Sequence, residues 1–255
     1  MELYGLIGNP VSKSLSPKIQ NAILNKFGGV YIAFEVSREH LKEVINGLRY
    51  LSSGFNVTLP YKEDVMMLLD SLDDYARQAR AVNTVKVNGG ALTGYNTDVT
   101  ALIKLIDEEI SSALIFGAGG AARAAALALL KRGCTTFCIV NRSKDRAINL
   151  GNIIMSWGAS VKYGPCREAH AFVNATPMGM YADDGPLIEL YRKGNYRLTI
   201  DLAYRPGGTN LERISKKVIS GIDILVEQAA QSIMIWKGID PDREIMKRAA
   251  MGEAN

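Results

Sequence analysis

Leu114-Ile115-Phe116-Gly117-Ala118-Gly119-Gly120-Ala121-Ala122 is the stretch on which the fold turns. A short apolar run leads into it, and an alanine-rich run of helical character leads out to Lys131. Between them stands Gly-x-Gly-x-x-Ala. In a strand-turn-helix unit the first glycine makes the tight turn and the second lets the backbone approach a pyrophosphate. The small third residue lets helix pack on strand. Gly117, Ala118, Gly119, Gly120 and Ala121 are then the phosphate-binding residues, because free N–H groups and the dipole at a helix start favour anions. A plain glycine-rich turn is the other reading; the strand before it and the helix after it argue for the dinucleotide site.

Phe137-Cys138-Ile139-Val140 reads as the next strand, which completes a βαβ unit. The residues after it select the nucleotide. A carboxylate there binds the ribose 2′-hydroxyl of NAD. This chain instead has Asn141-Arg142-Ser143, with Lys144 and Arg146 close by. A guanidinium grips a 2′-phosphate through paired hydrogen bonds, so the segment predicts NADP. A basic, solvated turn is the blander alternative. Ala147–Trp157 predicts a helix, and Phe172–Met180 a strand ending in a turn. That turn, with Thr176 and Met178, lines the nicotinamide, or else its methionines fill core. Leu198–Leu202 predicts a strand, Leu211–Ile219 a helix and Ile222–Leu225 a last short strand.

The first hundred residues carry a different chemistry. Leu3–Ile7 and Val30–Val36 read as strands and Glu39–Leu51 as a helix, with Leu41, Val44, Ile45 and Leu48 on one side. Ser16-Pro17 reads as a helix start, serine at the cap and proline at the first position. Ser12, Ser14 and Ser16 also crowd three hydroxyls beside Lys13 at that helix N-terminus, which is how a carboxylate is bound. Both readings stand on spacing alone. In Phe55-Asn56-Val57-Thr58-Leu59-Pro60-Tyr61-Lys62 a strand ends among polar groups, where α/β sheets bind ligands. Lys62 is either a solvated lysine or a functional one, since a cation at a helix start opposes the dipole. Asp64–Leu72 and Asp73–Ala79 predict helices, and Ala81–Val87 with Ala91–Tyr95 a hairpin across Asn88-Gly89-Gly90. Asp98 precedes a helix over Val99–Ile106 and reads most simply as its cap or dipole partner.

Bulk properties set the outer limits. The 255 residues suffice for one or two domains, and 47 % hydrophobic with 22 % charged residues is ordinary for a globular chain. A net charge of +4, with no long Lys/Arg run or basic face laced with aromatics, does not point to nucleic acid. No apolar run is long enough to span a bilayer, so no membrane partner is expected. Met1-Glu2-Leu3-Tyr4 lacks the pattern of a signal peptide, and the chain is expected to be cytoplasmic. Three cysteines, Cys134, Cys138 and Cys166, argue by their odd count against a disulfide framework, and Cys134 and Cys138, at or in an apolar strand, read as packing residues. Two histidines leave no zinc constellation, so no metal is expected. Glu227–Trp236 reads as an amphipathic helix with Gln228 and Gln231 on one face, either exposed or touching a ligand. Asp240-Pro241 reads as the start of a final helix.

Taken in order, these motifs resemble the shikimate dehydrogenase family over nearly the full chain. They are the Gly8–Pro17 serine loop, Asn-Val-Thr-Leu-Pro-Tyr-Lys at 56–62, Ala-Val-Asn-Thr at 81–84 and Gly-Tyr-Asn-Thr-Asp at 94–98. Gly-Ala-Gly-Gly-Ala at 117–121, Asn-Arg-Ser at 141–143, Asn-Ala-Thr-Pro at 174–177 and Glu-Gln-Ala-Ala at 227–230 follow. The resemblance implies an α/β fold, with a split N-terminal α/β substrate domain (1–97 and 225–255) around a Rossmann-type dinucleotide-binding domain (98–224). It implies reversible hydride transfer between shikimate and 3-dehydroshikimate with NADP, in aromatic amino acid biosynthesis, by a monomer or homodimer.

Carried over residue by residue, Ser14 and Ser16 bind the substrate carboxylate. Thr58, Asn83, Tyr204 and Gln228 hold hydroxyls or the cleft around them, and Lys62 and Asp98 are the catalytic pair. Alcohol oxidation needs a group to take the hydroxyl proton, and a lysine suits once desolvation lowers its pKa. Aspartate beside it favours the charged lysine, which points Asp98 toward orientation and proton relay. The resemblance does not say which of the two holds the proton. Lys13 and Gln20 stand where the family usually has histidines, and Val99 and Ala101 where it has glycines. These departures leave open a broader preference toward quinate or an aminated analogue. A non-catalytic NADP-binding regulator is the reading furthest from the family.

Overall fold

The computed structural model describes residues 1–180 and 183–253, and the chain divides into two compact units. One comprises Met1–Thr97 with Leu225–Asn255, the other Asp98–Ile224. In the first, strand β1 (Glu2–Gly8) leads through a loop to helix α1 (Ser16–Leu24), then β2 (Gly29–Glu35), α2 (Leu41–Leu51) and β3 (Gly54–Val57). Next come β4 (Ser71–Leu72), α3 (Asp74–Ala79) and the hairpin β5 (Thr84–Asn88) and β6 (Ala91–Tyr95). The sheet order is β2-β1-β3-β5-β6-β4. β1 is parallel to both β2 and β3, whereas β5 runs antiparallel to β3 with Asn56 opposite Thr84. One sheet edge therefore gathers the C-terminal ends of β1, β3 and β6 and the N-terminal end of β5. Ile7, Phe55, Val57, Val65, Val85 and Leu92 pack with the Leu41, Ile45 and Leu48 face of α2 into this unit's core.

Helix α4 (Thr97–Leu105) carries the chain into the second unit. There β7 (Ser112–Phe116), α5 (Gly120–Lys131), β8 (Thr136–Val140), α6 (Lys144–Ser156) and β9 (Ser160–Tyr163) form one half. β10 (Ala171–Asn174), α7 (Gly185–Arg192), β11 (Leu198–Asp201), α8 (Asn210–Ile214) and β12 (Val218–Ile219) form the other. The order β12-β11-β10-β7-β8-β9 is wholly parallel and reverses between β7 and β10. This is the doubly wound arrangement, whose ligand crevice lies at the reversal, beyond the strands' C-terminal ends.

Helices α9 (Gly221–Lys237) and α10 (Arg243–Met251) end the chain. From Leu225 onward α9 belongs to the first unit and is fastened to its sheet. Trp236 donates Nε1 to Val85 O at 2.9 Å and lies so close to Gly54 that a Cβ there would sit 2.3 Å from Nε1. Ser232 bonds Asn56 and Thr84, and Lys237 pairs with Glu2 at 2.7 Å. α10 packs on α1.

Several expectations are corrected. Of the predicted helix over Asp64–Leu72, only Asp64–Leu68 winds, as a single tight turn; Ser71–Leu72 is strand. Asp70 holds the chain extended there, donating its backbone N to Leu92 O at 3.0 Å and accepting Leu92 N with its carboxylate at 2.7 Å. The helix over Leu211–Ile219 stops at Ile214, and the last strand is Val218–Ile219 rather than Ile222–Leu225. Ser220 and Asp223 bond one another and start α9, so Ile222–Leu225 is the buried beginning of a helix. Asp242, not Asp240, caps the last helix, accepting Glu244 N at 2.8 Å. Ser16 lies inside α1 without capping it; Ser14 Oγ instead accepts Ser16 N at 3.2 Å. Asp98 sits in the first turn of α4 rather than before it. α6 begins earlier than predicted, at Lys144, because Ser143 caps it. β9 and α7 had no counterpart in the sequence reading.

Cys138 is not a packing residue alone. It forms a disulfide with Cys166, their Cα atoms 6.0 Å apart across β8 and the loop after β9, within reach of a bridge. Cys134 is free and buried, and burial pushes its thiol up to about 12.

Candidate active site

In the first unit the sheet edge defined above collects most of the expected substrate residues. The loop after β1 is tied to the segment after β3: Asn9 N donates to Leu59 O at 2.9 Å and Thr58 N to Ile7 O at 2.8 Å. Both segments carry cis X-Pro bonds, Asn9-Pro10 and Leu59-Pro60. A Cβ on Gly8 would lie 2.4 Å from the Thr58 side chain, so the serine loop rests on Thr58. Ser14 is half-buried, Ser16 is buried and Lys13 is exposed. Lys62 is half-buried, and its carbonyl accepts Val82 N at 2.7 Å, which fixes it beside Asn83. It precedes one short turn rather than a full helix, so the dipole penalty expected of a lysine at a helix start does not arise.

Asn83 is the node of this unit. Only 3 % exposed, its Oδ1 accepts Thr97 N at 2.7 Å, Thr97 Oγ1 at 3.1 Å and Thr84 Oγ1 at 3.1 Å. Thr97 Oγ1 also reaches Gln228 Oε1 at 3.4 Å, and Gln228 donates Nε2 to Leu225 O at 2.8 Å. Behind them Asn56 donates Nδ2 to Asn83 O, Thr84 Oγ1 and Ser232 Oγ, and accepts from the Tyr31 hydroxyl at 2.8 Å. Gln20 reaches Asn56 and Ala229 O. Asn83, Thr97 and Gln228 thus share one buried hydrogen-bonded frame, and the Lys62 backbone is held on Val82, next to Asn83. Asp98, which is buried, and Tyr204, half-buried after β11, belong to the second unit.

In that unit the glycine turn ends β7 at the sheet's reversal point. Gly117 has φ +117°, and a Cβ there would meet Ala175 O at 2.6 Å, so only glycine fits. Above Gly119 the space is open, and α5 starts at Gly120 with its first-turn N–H groups at that opening. The turn is closed beneath by backbone and open above, which fits a diphosphate lying on the helix start. Gly117 N bonds Val140 O at 2.9 Å, bringing the end of β8 alongside. Asn141 donates Nδ2 to Ser143 O at 2.8 Å, Ser143 Oγ accepts Arg146 N at 3.4 Å, and Arg142 and Arg146 are exposed. On the other side Ala175 N bonds Phe116 O at 2.8 Å, so the turn holding Thr176 and Met178 lies against Gly117. The residues present fit NADP: glycines for the diphosphate, and a guanidinium with no carboxylate at the ribose position.

Asp201 and Thr209 are not singled out in the sequence, and Asn174 only as part of the Asn-Ala-Thr-Pro motif. Asn174 and Thr209 bond Asp201, whose carboxyl burial pushes up to about 6. Two signals were present. Asn174 two residues before Thr176 is an Asx-turn pattern, and Thr209-x-x-Glu212 is a capping-box pattern. Among the described residues no cluster of His, Cys, Asp and Glu is built to hold a metal. Nor is any helix long and apolar enough to cross a membrane.

A Rossmann-type unit with a phosphate-ready turn, joined to an α/β unit with polar groups at its strand ends, defines the class: an α/β dinucleotide-dependent oxidoreductase. Residues 6–85 match the model of the shikimate dehydrogenase substrate binding domain, and 221–251 that of the shikimate 5′-dehydrogenase C-terminal domain. A shikimate dehydrogenase (NADP+) of Pyrobaculum islandicum is 41 % identical over 97 % of each chain. The Thermus thermophilus shikimate 5-dehydrogenase, solved with NADP(H) and shikimate, superposes with TM-score 0.84 at 33 % identity over 98 % of each chain. Quinate dehydrogenase from Corynebacterium glutamicum, solved with NAD, gives TM-score 0.86 at 29 % identity, covering 98 % of this chain and 99 % of that one. The chain belongs to the shikimate dehydrogenase family.

Proposed function

We propose that this protein catalyses the reversible NADP-dependent interconversion of shikimate and 3-dehydroshikimate, within chorismate and aromatic amino acid synthesis. The observation that carries the reading is the frame around Asn83. Its side chain holds, through the Thr97 N–H, the start of the helix whose next residue is Asp98, and the neighbouring Val82 N–H holds the Lys62 carbonyl. NADP, when bound at the glycine turn, supplies the hydride acceptor for the carbinol carbon. Gly117, Ala118, Gly119, Gly120 and Ala121 hold its diphosphate. Asn141, Arg142, Ser143 and Arg146 hold the 2′-phosphate, and Thr176 and Met178 flank the nicotinamide.

Ser14 and Ser16 bind the substrate carboxylate. Thr58, Asn83, Tyr204 and Gln228 hold its ring hydroxyls. Lys62 takes the hydroxyl proton as hydride leaves and returns it in the reductive direction. Asp98 orients the lysine and relays the proton. Residues 1–97 with 225–255 act as the substrate domain and 98–224 as the NADP domain, in a cytoplasmic enzyme.

The test is an absorbance assay of reduced nicotinamide with shikimate and NADP. Turnover supports the reading, and folded protein without turnover sinks it. A broader enzyme accepting quinate is the second reading. It is favoured by exposed Lys13 in the serine loop and by buried Val99 and Ala101, where the family resemblance leads to an expectation of glycine. Comparing kcat/KM for shikimate and quinate, each with NADP and NAD, separates the two. Tight NADPH binding without turnover of any cyclic hydroxy acid marks a regulator instead.

A further inference from the structure

Asp201 ends β11 with no solvent exposure and has no part in the chemistry above. Its two oxygens meet three donors. Oδ1 accepts Asn174 Nδ2 at 2.8 Å and Ala203 N at 3.1 Å, and Oδ2 accepts Thr209 Oγ1 at 2.5 Å. Asn174 is in turn saturated: it donates to Met178 O at 3.1 Å and accepts Thr176 N at 3.1 Å and Thr176 Oγ1 at 2.8 Å. Thr209 is also shared, accepting Glu212 N at 3.2 Å as the cap of α8. One buried carboxylate therefore fixes two segments at the C-terminal edge of this sheet. One is the turn holding Thr176 and Met178, which lies against Gly117. The other is the Ala203–Thr209 loop, which carries Tyr204.

We propose that Asp201 is a positioning residue that locks the Thr176–Met178 turn and the Ala203–Thr209 loop into the shape that binds the nicotinamide half of NADP. The proposal rests on the NADP reading of this unit. The chemistry requires an acceptor-only group. An ionised carboxylate satisfies three converging donors, whereas an amide of the same shape has one oxygen and strands either Thr209 or the Asn174 and Ala203 pair. Burial raises the carboxyl, and Glu212 is the neighbouring charge that raises it further. A residue kept only for packing is better served by an uncharged isostere.

The experiment compares wild type, Asp201→Asn, Thr209→Val and Thr209→Ser by NADPH fluorescence titration, steady-state kinetics and thermal melting. Asp201→Asn is expected to melt within a few degrees of wild type while its KM for NADP rises about tenfold; its KM for shikimate rises by less, through Tyr204 on the same loop. Thr209→Val shows a smaller rise in KM for NADP, and Thr209→Ser restores the wild-type value. Asp201→Asn with wild-type NADP affinity overturns the proposal. Should that variant fail to fold, Thr209→Val decides, and an unchanged KM for NADP there overturns it too. Wild-type protein that does not bind NADPH removes the underlying cofactor reading, and the proposal with it.

Discussion

Asn83 Oδ1 accepts the backbone N–H of Thr97 at 2.7 Å. A side chain at the start of β5 thereby satisfies one of the otherwise unpaired N–H groups in the first turn of α4. The bond has a structural task, securing a helix start, and it fixes the backbone beside Asp98. Asn83→Ala leaves a buried N–H without its acceptor, which costs about 1–3 kcal/mol. The variant should melt several degrees lower and lose activity in kcat as well as KM for shikimate. A melting temperature equal to wild type would show that water or Gln228 replaces the asparagine.

Lys62→Ala is expected to behave differently. Its backbone bond to Val82 survives the change, and the side chain is half-buried rather than part of the core. We expect kcat to fall on the order of 10³-fold, the usual range for a lost proton-transfer group, with the melting temperature nearly unchanged. A kcat within a few-fold of wild type would take the lysine out of the mechanism.

Arg142 is exposed at the end of β8, so removing it leaves the fold intact. Loss of a paired guanidinium–phosphate contact is worth about 1.5–3 kcal/mol, or roughly ten- to hundredfold in affinity. Arg142→Ala should raise KM for NADP by that factor and leave KM for NAD almost unchanged. Equal losses for both would place the 2′-phosphate elsewhere.

Asp201 also predicts a pH dependence of stability. Its carboxyl rises from the ordinary 3.8 to about 6, with burial the main cause. Between those values the folded chain holds the proton that the unfolded chain has lost. The Asp201 contribution to stability therefore falls as pH rises from about 4 to about 6 and is constant above. The span is on the order of 3 kcal/mol. Urea unfolding of wild type and Asp201→Asn at several pH values isolates it: the difference should shift in favour of the asparagine variant across that window. A difference independent of pH would mean that Asp201 ionises as freely in the fold as outside it.

Elements were legible where one signal dominated. The alanine-rich run after Gly119 and the Leu41, Ile45 and Leu48 stripe both became helices. Short apolar segments misled. Ile222–Leu225 looked like strand because a buried helix start and a strand share the same composition over four residues; the Ser220–Asp223 pair was the better guide. Ser16 was visible as a residue of interest, yet its capping role passed to Ser14 two positions earlier. The Cys138–Cys166 bridge was hidden because their meeting depends on how the loop after β9 returns to β8.

The sequence alone determined the glycine turn and its preference for NADP. Phosphate recognition there is local, made by consecutive backbone groups and by the few residues that end the next strand. Tertiary structure alone decided what holds the site in shape. Thr97 lies 14 residues from Asn83, and Asp201 lies 27 from Asn174. Each pair meets only because neighbouring strands end at the same sheet edge. A buried polar group must find its partner there, at whatever distance along the chain the fold supplies it.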